Sequence, residues 1–188
     1  TARLTGDCSF LLKAITNADI VCLQEVTCAA SNWLRTALSD RFTVLTAEAQ
    51  CGRAWPTEGH DVAILVSNAR LRVLGCRVHE LDSDQQRTVL MARVREQSTG
   101  ATLTIATTHL ESGVCRPGDL RVLQLQSTMD ILHRSQTDAA VLAGDLNLRP
   151  WEAEKAKVGD DGGRRWQDMW YAAGADASLA STWQTHRY

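Results

Sequence analysis

No stretch of the 188-residue sequence is apolar for the roughly 18 residues that a membrane-spanning helix needs, and no signal-peptide pattern opens it. A soluble chain with no membrane partner is the expectation. Net charge is nearly absent as well, at −2, which excludes the overall cationic field that holds nucleic acid without regard to sequence. Any nucleic-acid contact must therefore be local. Lysine is confined to Lys13, Lys155 and Lys157, leaving 17 of the 20 basic residues to arginine. The planar guanidinium suits bidentate phosphate contact, although genome composition alone produces the same bias. The six cysteines, Cys8, Cys22, Cys28, Cys51, Cys76 and Cys115, form no Cys-x-x-Cys pair and no cysteine–histidine cluster, so neither zinc spacing nor a disulfide framework is indicated. They read as reduced thiols of an intracellular compartment, nuclear and/or cytoplasmic, and Cys22, inside an apolar run, as a buried structural residue. Repeats, low-complexity tracts and an interdomain linker are also missing. A chain of this length, 44% hydrophobic and 22% charged, is expected to form a single compact domain and a monomer.

What is present alternates between short apolar runs and helical periodicity. Cys8, Leu11, Leu12 and Ile15 follow the spacing of an amphipathic helix. A buried strand is expected over Asp19 to Val26, delivering Glu25 near its C-terminal end. A second helix carries Ala30, Trp33, Leu34, Ala37 and Leu38, followed by a strand at Phe42 to Thr46. Ala49 to Gly59 reads as a surface loop. Strands are then expected at Asp61 to Ser67, Leu71 to Leu81, Arg87 to Arg95 and Ala101 to Thr108, with a polar turn at Asp82 to Gln86. Pro117 is placed to open a helix whose apolar face is Val122, Leu125, Met129 and Leu132. A buried strand over Ala139 to Ala143 follows, with Gly144 ending it and Asp145 and Asn147 in the loop beyond. Gly159 to Gly163 reads as a loop, and Trp166 to Ala173 as a short helix.

Three apolar runs thus end in chemistry-bearing side chains: Gln24-Glu25, His109-Leu110-Glu111 and Asp145-Leu146-Asn147. Singly each is weak, because a carboxylate after a strand is commonly a cap and a lone histidine commonly structural. Together they suit phosphodiester hydrolysis. A hard cation such as Mg²⁺ takes one or two carboxylates while waters and substrate phosphate complete its shell, a role that fits Glu25. The reaction also needs an oriented or deprotonated water, for which Asp145 is the candidate, and donors to the non-bridging oxygens, for which His109 and Asn147 are candidates.

The ordered set Leu23-Gln24-Glu25-Val26, Thr108-His109-Leu110-Glu111-Ser112 and Ala143-Gly144-Asp145-Leu146-Asn147-Leu148-Arg149 resembles the endonuclease/exonuclease/phosphatase superfamily. With Ser181-Thr182-Trp183-Gln184-Thr185 and the Cys8-Ser9-Phe10-Leu11 run, the resemblance narrows to the type 2 tyrosyl-DNA phosphodiesterases and covers essentially the whole chain. It implies an α/β fold, a two-sheet sandwich with helices on the outer faces. It also implies a Mg²⁺-dependent enzyme, with Mn²⁺ as a substitute, acting in DNA repair on DNA 5′ ends that carry tyrosine or topoisomerase-derived peptide. Carried over by position, Glu25 is the metal ligand, His109, Asp145 and Asn147 are catalytic, and Ser112, Arg149 and Trp183 bind substrate. The family pattern has an asparagine-bearing strand before the residue matching Thr1 and a Ser-Asp-His segment beyond the residue matching Tyr188. The expectation is therefore a catalytic domain incomplete at both ends, without its first and last strands. Abasic endonucleases, RNA deadenylases, phosphoinositide phosphatases and sphingomyelinases share the Glu and Asp-x-Asn core, and a non-catalytic binding fragment is the third reading.

Overall fold

The computed structural model describes residues 12–13, 15, 17–52, 54, 59–113, 119–156 and 166–174. Two compact units result, Thr1–Asn147 and Leu148–Tyr188. The first holds seven described strands in two sheets. Strands β1 (Ile20–Thr27), β2 (Phe42–Thr46) and β3 (His60–Ser67) form an antiparallel sheet ordered β1-β3-β2. Strands β4 (Leu71–Glu80), β5 (Thr88–Glu96), β6 (Thr102–His109) and β7 (Ala139–Asp145) form the other, in that order. Among the described strands, only β7 runs parallel to its neighbour, β6. The crossover between them carries helix α3 (Asp119–His133), the long connection that a parallel pair requires.

The apolar patterns explain the layers. From Val62 to Val66, β3 is apolar on both faces and at most 3% exposed, as befits a central strand covered on each side. One face meets Leu90, Ala92, Val94 and Ile105 of the second sheet through Leu45, Ile64 and Val66. On the other, Ala63 and Leu65 pack with Leu34, Leu38, Phe42 and Val44, beneath α1 (Cys28–Ala37). In α3, Val122, Leu125, Met129 and Leu132 are buried at the predicted spacing. The α/β two-sheet sandwich expected from the sequence is thus the observed architecture, and Gln24 Nε2 donates to Thr107 Oγ1 at 3.0 Å between its two sheets.

Several local expectations change. Helix α1 begins at Cys28, capped by the Thr27 hydroxyl, which accepts from Ala30 N at 3.2 Å. Ala49 to Cys51 is helix rather than loop. It belongs to α2 (Ala47–Cys51), which starts where Thr46 Oγ1 accepts from Ala49 N and stops where Gly52 turns left-handed. The largest revision concerns β7, which is exposed at Ala139 and Val141 rather than buried, and which continues through Gly144 and Asp145, with Thr108 opposite Gly144 and His109 opposite Asp145. A Cβ on Gly144 would collide with the backbone of Thr108, so glycine lets β7 lie against β6 where another residue would end the pairing. The N-terminal helix is described only at Leu12 and Lys13. Residues 1–11, Pro117 and the Gly159 to Gly163 loop lie outside the described residues. In the second unit, α4 (Pro150–Lys155) is followed by α5 (Met169–Ala172), shorter than the helix expected over Trp166 to Ala173.

Gly144→Ala is expected to destabilise the protein by about 1–3 kcal/mol, the range for forcing an extra group into a filled space. Gly75→Ala, whose added Cβ meets no atom within 4 Å, is expected to stay within about 0.5 kcal/mol of wild type. Urea denaturation measures both, and equal midpoints for the two variants would show that the close approach of β7 to β6 is not there.

Candidate active site

The parallel register sets His109 and Asp145 side by side at the ends of β6 and β7. Leu110 N donates to Asp145 O at 2.9 Å, so the pairing extends one bond past the strand end. His109 Nε2 stands 3.8 Å from Asp145 Oδ2, too far for a hydrogen bond. Asp145 Oδ1 accepts from Asn147 N at 3.0 Å, and Asn147 Nδ2 donates to Leu110 O at 3.0 Å. Asn147 thereby ties the segment after β7 to the segment after β6, with its Oδ1 left to accept.

Glu25 arrives from the other sheet. Pairing between β1 and β3 shifts register between Leu23 and Val26, and Glu25 takes φ 55° within that irregularity. A bulge re-aims a side chain, and the Glu25 carboxylate is exposed, with no hydrogen bond or ion pair among the described residues. Its charge nevertheless acts on His109. Among the described residues, the non-glycine positions with positive φ are Glu25, Gln86 at 57° and Asn147 at 48°. Asparagine tolerates this region, whereas Glu and Gln store on the order of 1–3 kcal/mol of strain each, a feature concentrated at functional sites.

Burial holds the His109 imidazole below its ordinary pKa, with the Arg87 guanidinium pushing the same way. Asp145 and Glu25 pull it upward without reversing the shift, and His60 adds to the lowering. The His60 ring stacks on it at 6.3 Å. A neutral ring is the outcome near pH 7. Its Nδ1 is buried and makes no hydrogen bond among the described residues, which leaves an unmatched polar atom inside the site.

Arg87 was not foreseen. It is 8% exposed, and among the described residues no carboxylate pairs with it. Its Nη2 donates to Gln85 Oε1 at 2.8 Å and to Ser112 Oγ at 3.4 Å, while Nε is buried without a partner. A buried cation without an acid is costly unless an anion visits it. Nothing local in the sequence distinguishes it from a solvated arginine at the end of a polar turn.

A second unforeseen group is the hydrogen-bond core behind His109. Gln124 of α3, 2% exposed, accepts from Glu111 N at 3.0 Å and donates to Asp82 O at 2.8 Å and Glu111 Oε2 at 3.3 Å. Ser83 Oγ donates to the same carboxylate oxygen at 2.6 Å and accepts from Gln85 N and Arg87 N. Gln85 Oε1 in turn accepts from Ser112 N and Oγ at 2.9 and 3.1 Å. Ser112 is thus placed on the rim of the same cluster. Arg149 belongs to the second unit, where its backbone N donates to Glu152 Oε2 at 2.9 Å and its guanidinium lies over Trp151 at 5.4 Å. Trp183 lies outside the described residues.

Among the described residues no three His, Cys, Asp or Glu side chains gather as a metal cage. A carboxylate at Glu25 unengaged among the described residues suits a hard cation that keeps its waters and shares phosphate oxygens.

Residues 8–188 match the Endonuclease/Exonuclease/phosphatase family. Tyrosyl-DNA phosphodiesterase 2 of Gallus gallus is 28% identical over 185 residues, which are 97% of this chain and 46% of that protein. The chain therefore spans about half the length of the curated relative it matches. The crystal structure of D. rerio TDP2 complexed with single strand DNA product is similar at TM-score 0.75 and 26% identity, over 93% of this chain and 64% of that one. TDP2 from C. elegans is similar at TM-score 0.68 and 26% identity, over 90% and 48%.

A depressed histidine pKa fixes the sign of a pH effect. Below about pH 6.5 the unfolded ring binds a proton that the folded ring resists, so stability falls as pH drops through that value. Between about pH 7.5 and 5.5 the wild type is expected to lose more stability than His109→Gln, measured by urea denaturation. Equal losses would contradict the neutral imidazole.

Proposed function

We propose, for a chain that belongs to the Endonuclease/Exonuclease/phosphatase family, that it hydrolyses a phosphodiester with a divalent cation. The ester we infer is the 5′-phosphotyrosyl bond between DNA and topoisomerase-derived peptide, cleaved in DNA repair. The observation that carries the chemistry is the His109–Asp145 pair held abreast across β6 and β7. Similarity to tyrosyl-DNA phosphodiesterase 2 proteins supports the choice of ester.

Glu25 would hold the cation, which when bound supplies Lewis-acid charge to phosphoryl oxygens. The chain's own residues divide the remaining work. Asp145, its Oδ1 fixed by Asn147 N, orients the attacking water and takes its proton, and Asn147 Oδ1 accepts from that water. Neutral His109 donates to a non-bridging oxygen. Arg87, buried and without an acid partner among the described residues, sets positive charge beside the phosphate before charge develops there. Water adds to phosphorus as its proton passes to Asp145, the bond to the tyrosine oxygen breaks, and the phenolate that leaves takes a proton from solvent, giving a 5′-phosphate and a free tyrosine hydroxyl. Ser112 and Arg149, with Trp183, are assigned to substrate contact. A repair role also carries the nuclear and/or cytoplasmic address read from the cysteines.

A 5′-phosphotyrosyl oligonucleotide with Mg²⁺ or Mn²⁺ is expected to yield 5′-phosphate, with chelation stopping the reaction. Asp145→Asn should reduce the rate about 10²–10⁴-fold, the usual contribution of a general base. Parallel arms with abasic-site DNA and with RNA bearing a 3′ adenosine tail identify the substrate class. Folded protein that cleaves either of these and leaves the tyrosyl ester intact would sink the choice of ester, and indifference to Asp145→Asn would sink the mechanism.

A further inference from the structure

The outer face of the second sheet carries a charge pattern that the catalytic cleft does not use. Cross-strand pairing places Arg72 opposite Arg95, Gly75 opposite Arg93, Arg77 opposite Met91 and His79 opposite Val89. These residues share one face, because the intervening Leu90, Ala92 and Val94 of β5 point into the core between the sheets. Arg72, Arg77, Arg93 and Arg95 are all exposed. Arg134, just past the end of α3, adds a fifth guanidinium across a groove of about 740 Å³ lined by Leu74, Arg77, Met91, Arg93 and Ile131. Arg93 Nη2 donates to Gln136 O at 3.4 Å and Arg134 Nε to Asp130 O at 3.1 Å, so both walls are positioned by the backbone.

Among the described residues no carboxylate pairs with any of these five arginines. The acids at the far end of the strands are engaged elsewhere. Asp138 accepts from Thr102 N and Oγ1, and Glu96, its pKa lowered to about 2, accepts from Ser98 and Thr99. At the cleft end, exposed Glu80, Asp82 and Asp84 bound the face on that side. The like-charge pair Arg72–Arg95, directly opposite across the strands, is destabilising by itself. In a chain whose net charge is −2, such a concentration of cations reflects placement and not overall excess. Burial, then the Arg77 and Arg134 guanidinium groups, lowers the His79 pKa.

We propose that this groove binds the sugar-phosphate backbone of a single-stranded nucleic acid outside the catalytic cleft. Alternate residues on a strand repeat at about 6.5–7 Å, the scale of successive phosphates along an extended single strand, and arginine recognises phosphate through two parallel N–H donors. Leu74, Met91 and Ile131 offer an apolar floor for sugars and base faces. The proposal does not depend on which ester the cleft hydrolyses.

The test uses a fluorescein-labelled 20-nucleotide oligothymidylate without phosphotyrosine, in chelator, followed by anisotropy across a salt series. In the Arg77→Gln/Arg93→Gln/Arg95→Gln variant, affinity at low salt should fall at least tenfold. The slope of log affinity against log salt should become shallower by about 2, at about 0.7 per single-strand phosphate released. Relief of the Arg72–Arg95 repulsion should keep the variant's melting temperature at or above that of wild type, so lost binding is not lost folding. Hydrolysis of a single-nucleotide phosphodiester should be unchanged. Unaltered affinity and slope in the variant would overturn the proposal, as would arginine-dependent binding of poly-glutamate with none of oligothymidylate. A wild type that binds through these arginines but cleaves no ester would leave this surface standing and remove the catalytic reading instead.

Discussion

The contact between Gly144 and the backbone of Thr108 is the constraint on which the rest of the site depends. β7 enters the sheet parallel to β6, and a parallel pair has no hairpin to set its register. The register comes instead from packing, and at one rung there is no room for a Cβ. Once that rung is fixed, the next places His109 opposite Asp145, and the bond from Leu110 N to Asp145 O carries the alignment into the segment beyond. Asn147 then closes the arrangement by bonding both to Asp145 and to Leu110. The catalytic geometry proposed here therefore follows from backbone approach, with side chains added to a frame that the glycine permits.

Electrostatics build on that frame. A histidine beside a carboxylate would ordinarily be driven toward its charged form, yet burial and Arg87 outweigh Asp145 and Glu25. Arg87 can act this way because the turn before it is rigid. Ser83 accepts from Gln85 N and Arg87 N while donating to Glu111, and Gln124 fastens that carboxylate to α3. Among the described non-glycine residues, those of left-handed φ are Glu25, Gln86, which directly precedes Arg87, and Asn147, whose N donates to Asp145. A phosphate entering the site would meet a neutral donor, a buried cation and an ordered carboxylate without reorganisation of the protein, which is the condition under which fixed charges favour a transition state.

Much of this was legible in the sequence, for reasons that can be stated residue by residue. Val62 to Val66 and Leu103 to Thr108 announce themselves as strands because their apolar and β-branched character matches the burial they receive. Glu25, His109 and Asp145 were recognisable as polar residues at the ends of such runs. The extension of β7 through Asp145 was not, since glycine is a turn signal locally and a close-packing device only when its neighbour strand is known. Thr46 before Ala47 and Glu48 is a capping signal that could have revealed α2. The pairing of Gln124 with Glu111 joins a helix to a strand end through the fold, and no local pattern marks it. The arginines of β4 and β5 were visible as a bias in composition, but only the register gathers them on one face.

The β6–β7 register sets Asp145 beside a buried, neutral His109. Titration of the His109 ring by NMR in metal-free wild-type protein and in Asp145→Asn, with the signal assigned by its loss in His109→Gln, tests it most directly. The midpoint is expected below 6.5 in the wild type and still lower in Asp145→Asn, because removing the neighbouring negative charge withdraws support for the protonated ring. A wild-type midpoint at or above 6.5, or one that does not fall on neutralising Asp145, would contradict it.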